Sequence, residues 1–128
     1  MLTIEADDYT LYYHNLARLA NKSGRFDLVV LAWQNALQVN PDDEIAKTQL
    51  EYGLRECAEI ELCLTEAKQE LDDAPDAVEA CYHLAHYYLA LGDVAKAKAE
   101  WGKIAARNLE NWSKSACKMI RKHCGSVD

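Results

Sequence analysis

Hydrophobic residues recur every three or four positions along most of the chain, which is the spacing of one face of an α-helix. The first apolar face consists of Tyr13, Leu16, Ala17 and Ala20. The next one consists of Val29, Val30, Trp33, Ala36 and Leu37. Near the C-terminus a last apolar stripe consists of Trp112, Ala116, Met119 and Ile120. The pattern predicts an all-α protein.

Short polar segments interrupt this helical pattern. Residues 23–24 (Ser-Gly) and 91–93 (Leu-Gly-Asp) stand where a helix must end, and glycine tolerates the left-handed conformation that a reversal requires. Residues 40–43 and 72–76 combine proline with aspartates, which suits the start of a new helix because carboxylates are favourable near its positive end. These interruptions predict helical hairpins.

The hairpins recur with a fixed period. Four pairs of identical residues lie 68 positions apart, namely Leu16 and Leu84, Ala17 and Ala85, Gly24 and Gly92, and Trp33 and Trp101. Pro41 and Pro75 lie 34 positions apart, which is half of that distance. Internal repetition of this length is typical of stacked helical units. It predicts one domain over residues 1–128 with repeats at about 10–43, 44–77 and 78–111 and a capping helix at about 112–124.

The period and the repeated residues resemble the tetratricopeptide repeat, whose pattern is W-x-x-L-G-x-x-Y, then A-x-x-x-F, then P. The first repeat carries Tyr13-x-x-Leu16-Ala17-x-x-Ala20 and Val29-x-x-x-Trp33, and the third carries Cys81-x-x-Leu84-Ala85-x-x-Tyr88 and Ala97-x-x-x-Trp101. The middle repeat keeps Leu50 and Pro75 but has Glu51 and Ala67 where a small residue and an aromatic belong. The resemblance implies three stacked hairpins in a right-handed α-solenoid, closed by a C-terminal helix.

The core of such a stack needs small residues where helices approach closely and large ones opposite them. The predicted core residues are Leu16, Ala17, Trp33, Leu84, Ala85, Trp101 and Trp112. The segment from Glu44 to Asp72 has two interpretations, because only Gly53 could break a helix there and no glycine marks a turn near Ala58. We predict two helices in this segment, and one long helix is the alternative.

Composition and charge narrow the classes of function. Aspartate and glutamate outnumber lysine and arginine by 21 to 14, and the net charge of −7 repels phosphate backbones, which argues against nucleic-acid binding in general. Residues 1–8 have neither a basic start nor an apolar run, so we expect no signal peptide, and no stretch approaches the length of a membrane span. The five cysteines are an odd number scattered through predicted helices, which favours the reducing cytoplasm.

In the tetratricopeptide family the first helix of each hairpin lines a concave groove. The matching positions hold His14, Arg18, Asn21, Thr48, Tyr52, Arg55, Tyr82 and His86. This set suits an extended or helical peptide with some acidic character; the alternative is that its members are ordinary solvated helix residues. The family's carboxylate clamp corresponds to His14, Arg18, Gln49, Glu79 and His83. Glu79 has the wrong sign for that clamp, which argues against binding of chaperone tails.

Signs of other chemistry are weak. The chain has no G-x-S-x-G, no phosphate loop and no H-E-x-x-H, so we predict that it is not an enzyme and has no cofactor. His83 and His86 share a helix face, but without paired Cys-x-x-Cys motifs this spacing does not predict a metal site. A cationic strip consists of Lys114, Lys118, Arg121 and Lys122. It could touch DNA or an acidic partner, or simply complement the helix dipole.

A second resemblance bears on function. Residues 92–101, followed by Ala105, Asn111-Trp112, Arg121 and Cys124, are similar to the pattern of the small enterobacterial ANR regulators. That resemblance implies a cytoplasmic adaptor that binds and modulates a regulatory protein. A type III secretion-type chaperone for a secreted subunit and a small DNA-binding transcriptional regulator are the alternatives. A homo-oligomer is also possible, with apolar area at Tyr87, Tyr88 and Leu89.

Overall fold

Helices make up most of the chain that the computed structural model describes, which is residues 6–124. They are α1 (Ala6–Lys22), α2 (Phe26–Val39), α3 (Glu44–Asp73), α4 (Val78–Ala90), α5 (Val94–Ala106) and α6 (Glu110–Cys124). No strand occurs in the described part of the chain. The predicted all-α class is confirmed, with α1–α2 and α4–α5 as hairpins and α6 as the expected additional helix at the C-terminal end.

The middle segment is one helix of 30 residues, so the prediction of two helices is wrong there and the single-helix alternative is right. No residue near Ala58 interrupts the backbone, because a run without proline or glycine has no local reason to leave the helix. Gly53 lies inside the helix, where a Cβ atom would stand 3.1 Å from Cγ2 of Val30. This glycine therefore permits close packing of α3 against α2 and does not make a turn.

The structure divides into two compact units, and the boundary between Glu59 and Ile60 falls inside α3. The first unit contains α1, α2 and the N-terminal half of α3, and the second contains the rest of α3 with α4, α5 and α6. The single domain and the right-handed solenoid concern the arrangement of these units and stay predictions.

The two hairpin turns use the same backbone device at equivalent positions. Gly24 and Gly92 have φ angles of 72° and 91°, in the left-handed region that residues with a Cβ seldom adopt. After each glycine a backbone N–H returns to the preceding helix, with Arg25 donating to the carbonyl of Ala20 at 3.0 Å and Asp93 donating to that of Tyr88 at 2.8 Å. Both turns agree with the sequence prediction.

The first unit buries small residues between its helices and a tryptophan beside them. Its core consists of Ala17, Ala20, Val29, Ala32, Trp33, Ala36 and Ala46. Leu16, a predicted core residue, is only partly buried at the edge of this cluster. Alanines at the contacts let the helix backbones approach closely, as the repeat pattern predicts.

The second unit is built around Trp101, which is fully buried. Leu84 and Ala85 are also buried as predicted, and α6 covers the cluster with Ala116 and Ile120. Trp112 departs from the prediction, because 36% of its surface is exposed and its ring packs edge-on against Tyr82 with centroids 5.4 Å apart. It lies at the margin of the core because it begins the apolar stripe of α6 one turn before the buried residues.

The edge predicted for self-association is largely covered. Leu89 is buried, and Tyr87 and Tyr88 are partly buried. The ammonium groups of Lys68 and Lys96 each lie 5.6 Å from the centroid of the Tyr88 ring, so two cations lie against that ring. This edge therefore does not offer the exposed apolar area that was predicted.

The contrast between two tryptophans gives a stability test. We expect Trp101→Ala to lower the free energy of unfolding by about 3–5 kcal/mol, because it empties a fully enclosed site. Trp112→Ala makes the same chemical change at a half-covered site and should cost about 1–2 kcal/mol. Urea denaturation followed by circular dichroism measures both changes. Equal losses for the two variants would contradict the assignment of Trp101 as the centre of the second unit.

Candidate partner-binding groove

A buried carboxylate joins α3 to the hairpin before it. Asp43 precedes α3, and its Oδ1 accepts a hydrogen bond from the backbone N–H of Ala46 at 3.1 Å, which caps the helix. Its Oδ2 lies 2.7 Å from Nε2 of His14 on α1. One side chain thus satisfies the start of α3 and attaches α1 to it.

The environment of Asp43 favours its charged form. Burial alone would raise the pKa of this carboxyl, but the hydrogen bonds from His14 and from the backbone of Ala46 outweigh burial and hold the pKa below its usual value. The His14 ring also packs edge-on against Trp33 of α2, with centroids 4.8 Å apart. His14 therefore contacts both of the other helices of the first unit through Trp33 and Asp43.

A groove of about 440 Å³ opens beside this contact. It is lined by His14, Asn15, Ala17, Arg18, Asn21, Val29, Trp33, Ile45 and Gln49. The buried Ala17, Val29 and Trp33 contribute apolar side chains to its lining. Arg18 and Asn21 stand exposed at its rim. The groove thus combines an apolar base with polar side chains that are free to reach a ligand, which is the general character of a binding site.

Three predicted groove residues, His14, Arg18 and Asn21, come together here because they follow each other at helical spacing along α1. Sequence reasoning missed Asn15 and Ile45. The spacing of Ile45 could have predicted its place in the groove, since it lies four residues before Gln49 and so shares its face of α3. It is 60% exposed, an unusual state for an isoleucine.

The predicted residues Thr48, Tyr52 and Arg55 form a second, smaller depression of about 100 Å³ together with Glu51. The Arg55 guanidinium lies 5.8 Å from the centroid of the Tyr52 ring, which holds the exposed ring and the cation side by side. Ile45, Thr48, Gln49 and Tyr52 repeat at i, i+3, i+4 and i+7, the spacing of one helix face. This face of α3 carries residues of both depressions. We call the two depressions together the α1/α3 surface.

The last two predicted groove residues belong to the second unit and are packed into an aromatic cluster. The rings of Tyr82 and His86 lie 4.7 Å apart, and His86 packs edge-on against Trp101 at 5.2 Å. Burial lowers the pKa of His86, and the neighbouring His83 and His123 lower it further. Both residues are partly buried and take part in packing, so they offer less to a ligand than Arg18 or Asn21.

The nucleophilic and metal-binding chemistry of the described residues is limited. Burial and the neighbouring Glu100 carboxylate raise the pKa of Cys81 to about 12, so this thiol stays protonated and is a poor nucleophile. Its Sγ donates to Oε2 of Glu100 at 3.2 Å. His83 is half-exposed, with Nε2 3.6 Å from Oε1 of Glu79. No three His, Cys, Asp or Glu side chains of residues 6–124 converge as metal ligands would.

The cationic strip of α6 is exposed along its length, and its last members, Arg121 and Lys122, stand in the final turn of the helix. Cations there stabilise a helix by facing the negative end of its dipole. Among the described helices none is both long and apolar enough to cross a bilayer.

Comparisons of the chain with protein-family models, with curated proteins and with solved structures find no match. The resemblances to tetratricopeptide repeats and to ANR regulators therefore rest on the quoted residues alone and stay predictions.

Removal of the Asp43 carboxylate tests its structural role. Asp43→Ala should lower the free energy of unfolding at pH 7 by about 2–3 kcal/mol, since it removes a helix cap and leaves His14 without its acceptor. The carboxylate has a lowered pKa, so its contribution is present above pH ~4 and is lost as the pH falls through the folded-state pKa. Urea titrations of the wild type and the variant at pH 7 and at a pH below the folded-state pKa of Asp43 measure this loss. The matched control is Asp42→Ala, an exposed neighbour, which should change stability by about 0.5 kcal/mol or less.

His86 predicts a second pH dependence. Its pKa is lowered in the folded state, so the unfolded chain binds a proton more readily. The free energy of unfolding should therefore fall as the pH drops through about 6.5, the usual value for histidine, toward the folded-state pKa. Urea midpoints between pH 7.5 and 5.5 should show this fall, and His86→Gln should reduce it. The half-exposed His83 gives the control, and a larger reduction in His83→Gln would contradict the assignment.

Proposed function

We propose that the protein is a non-enzymatic adaptor that binds another protein as a peptide or a helix on the α1/α3 surface. One observation carries the proposal: a groove in the first unit combines apolar side chains, among them the exposed Ile45, with exposed polar and cationic ones. A groove of this kind can bury an apolar side chain of a partner while its rim hydrogen-bonds the partner's backbone.

The rim indicates the character of the partner. Arg18 and Arg55 are exposed cations on a protein whose net charge is −7. Asn21 and Gln49 add amides that can donate to and accept from a peptide backbone. Guanidinium groups pair with carboxylates by two parallel hydrogen bonds, so a ligand with acidic residues beside an apolar anchor fits best.

The ANR resemblance supports the finer proposal that the partner is a regulatory protein of the cytoplasm, whose activity the adaptor modulates. The secretion-chaperone alternative has its own support, because Tyr52 and Leu54 of α3 are each at least half exposed and could receive an apolar segment. The exposed cations of α6 support the DNA-binding alternative. The acidic net charge weighs against that alternative, because it repels phosphates from the protein as a whole.

Charge reversal on the α1/α3 surface tests the proposal. A partner captured from lysate of the native host with the tagged full chain is identified and titrated against the purified protein. Arg18→Glu/Arg55→Glu should weaken its binding by about tenfold or more, since both guanidinium groups are lost and replaced by carboxylates. The free energy of unfolding should change by only about 0.5 kcal/mol, because both side chains are exposed.

The matched control is Lys114→Glu/Lys118→Glu, which makes the same change of charge on α6. It should leave partner binding within about twofold of the wild type. If this pair abolishes binding and the arginine pair does not, the partner lies on α6 and the groove is the wrong surface. A DNA duplex titrated at low salt separates the remaining alternative, because salt-sensitive binding lost in the α6 variant would favour a DNA-binding regulator.

A further inference from the structure

The α1–α2 hairpin has a second face that α3 does not cover. On α1 it contains Tyr9, Tyr12, Leu16 and Leu19, at the i, i+3, i+7 and i+10 spacing of one helix stripe. At about 100° per residue this stripe lies about 170° around the helix axis from His14, Arg18 and Asn21, which face the groove. We call this side of the hairpin the outer face.

On α2 the same face carries Leu28 and Leu31. They lie about 160° around the axis from Trp33 and its neighbours, which turn toward His14 and α3. Val30 of α2 meets Gly53 of α3, and Leu28 and Leu31 lie about 130° around α2 from Val30, so we place both leucines on the side of the hairpin that holds the α1 stripe. The outer face is thus a two-helix surface.

The outer face exposes several large apolar side chains on two neighbouring helices. The exposed fractions are 43% for Tyr9, 55% for Tyr12, 54% for Leu19, 40% for Leu28 and 50% for Leu31. Together these side chains expose on the order of 450 Å² of mostly apolar surface, since a tyrosine offers roughly 200 Å² and a leucine somewhat less. A patch of this size is comparable with the largest apolar patch of a typical monomer, roughly 300–600 Å², and such a patch is often a functional contact surface.

The outer face carries little charge compared with the rest of the chain: Asp27, four residues before Leu31 on α2, is paired with Arg25 at 2.9 Å. The positions that continue its stripes are Ser23 on α1 and Asn35 on α2. Charged residues make up 27% of the sequence, yet none of the stripe positions named here is charged. A charged partner would therefore find few ions to pair with here. Two copies of a chain with net charge −7, by contrast, repel each other least when they meet through a face of low charge.

The area suits a second copy of the chain. A standard interface buries about 800 Å² on each partner, and in homodimers about 65% of that, roughly 520 Å², is non-polar. The outer face supplies most of this non-polar area by itself. A twofold axis through it would pack two hairpins into a four-helix arrangement in which each leucine stripe meets its own copy.

We propose that the protein is a homodimer that associates through the outer face of its α1–α2 hairpin. The dimer leaves the α1/α3 surface of each copy open, because that surface lies on the opposite side of α1. The pair would then present two binding sites, which strengthens attachment to any partner that is itself dimeric. The proposal is independent of the identity of that partner.

Sedimentation velocity on the purified full chain tests the proposal. The wild type should be a dimer at about 50 μM. Leu19→Glu/Leu31→Glu should weaken association by about a hundredfold and give a monomer with unchanged helical circular dichroism, since it places two carboxylates within the interface. A wild type that stays monomeric overturns the proposal, whether the face is covered by another part of the chain or by none.

The control is Leu54→Glu/Leu62→Glu, which makes the same change at two leucines of α3 that are 50% and 67% exposed. It should remain a dimer, and its dissociation would place the interface elsewhere. A mixing experiment shows whether the variants are still folded. Leu19→Glu/Leu31→Glu mixed with Leu19→Lys/Leu31→Lys should give a one-to-one heterodimer, because opposite charges then face each other across the interface. Failure of these two folded chains to pair would also overturn the outer face as a twofold interface. Titrating the captured partner against the monomeric variant tests binding at the α1/α3 surface independently of dimer formation.

Discussion

The carboxylate of Asp43 holds the first unit together, because it caps α3 and accepts from His14 of α1 with the same side chain. Burial works against its charge, but donors on both sides keep it ionised. The start of α3 and the position of α1 are therefore coupled through one charged group. The groove depends on this coupling, since Trp33 and His14 line it on one side and Ile45 of α3 lines it on the other.

The two units use an equivalent tryptophan in different ways. Trp33 is met by His14, whose ring is fixed by a carboxylate, while Trp101 is met by His86 and stacks with His123 of α6 at 6.0 Å. Burial lowers the pKa of His86, and the indole Nε1 of Trp101 has no hydrogen-bond partner in the described chain. Acid therefore acts on the first unit through the Asp43 carboxylate and on the second through the buried His86 ring.

Helix α1 has three faces with different surroundings. One face, with Ala17 and Ala20, packs against α2, and a second presents Arg18 and Asn21 at the groove. The third face is apolar and uncharged. A helix that needed only to fold would place polar residues on that third face, because solvent favours them there. The adaptor and dimer proposals each account for one of the two faces that folding leaves unused.

The sequence by itself determined the helices, the glycine turns and the buried Trp33 and Trp101, because these follow from spacing within one or two turns of chain. The same reasoning wrongly predicted a buried Trp112 and a turn near Ala58. A side chain at the end of an apolar stripe is covered only if another helix reaches it, and a helix without breakers continues unless packing bends it. Tertiary structure likewise decided that His14 meets Asp43, 29 residues away, and that Ile45 stands beside Arg18. Such pairings depend on how helices pack, which local periodicity does not contain.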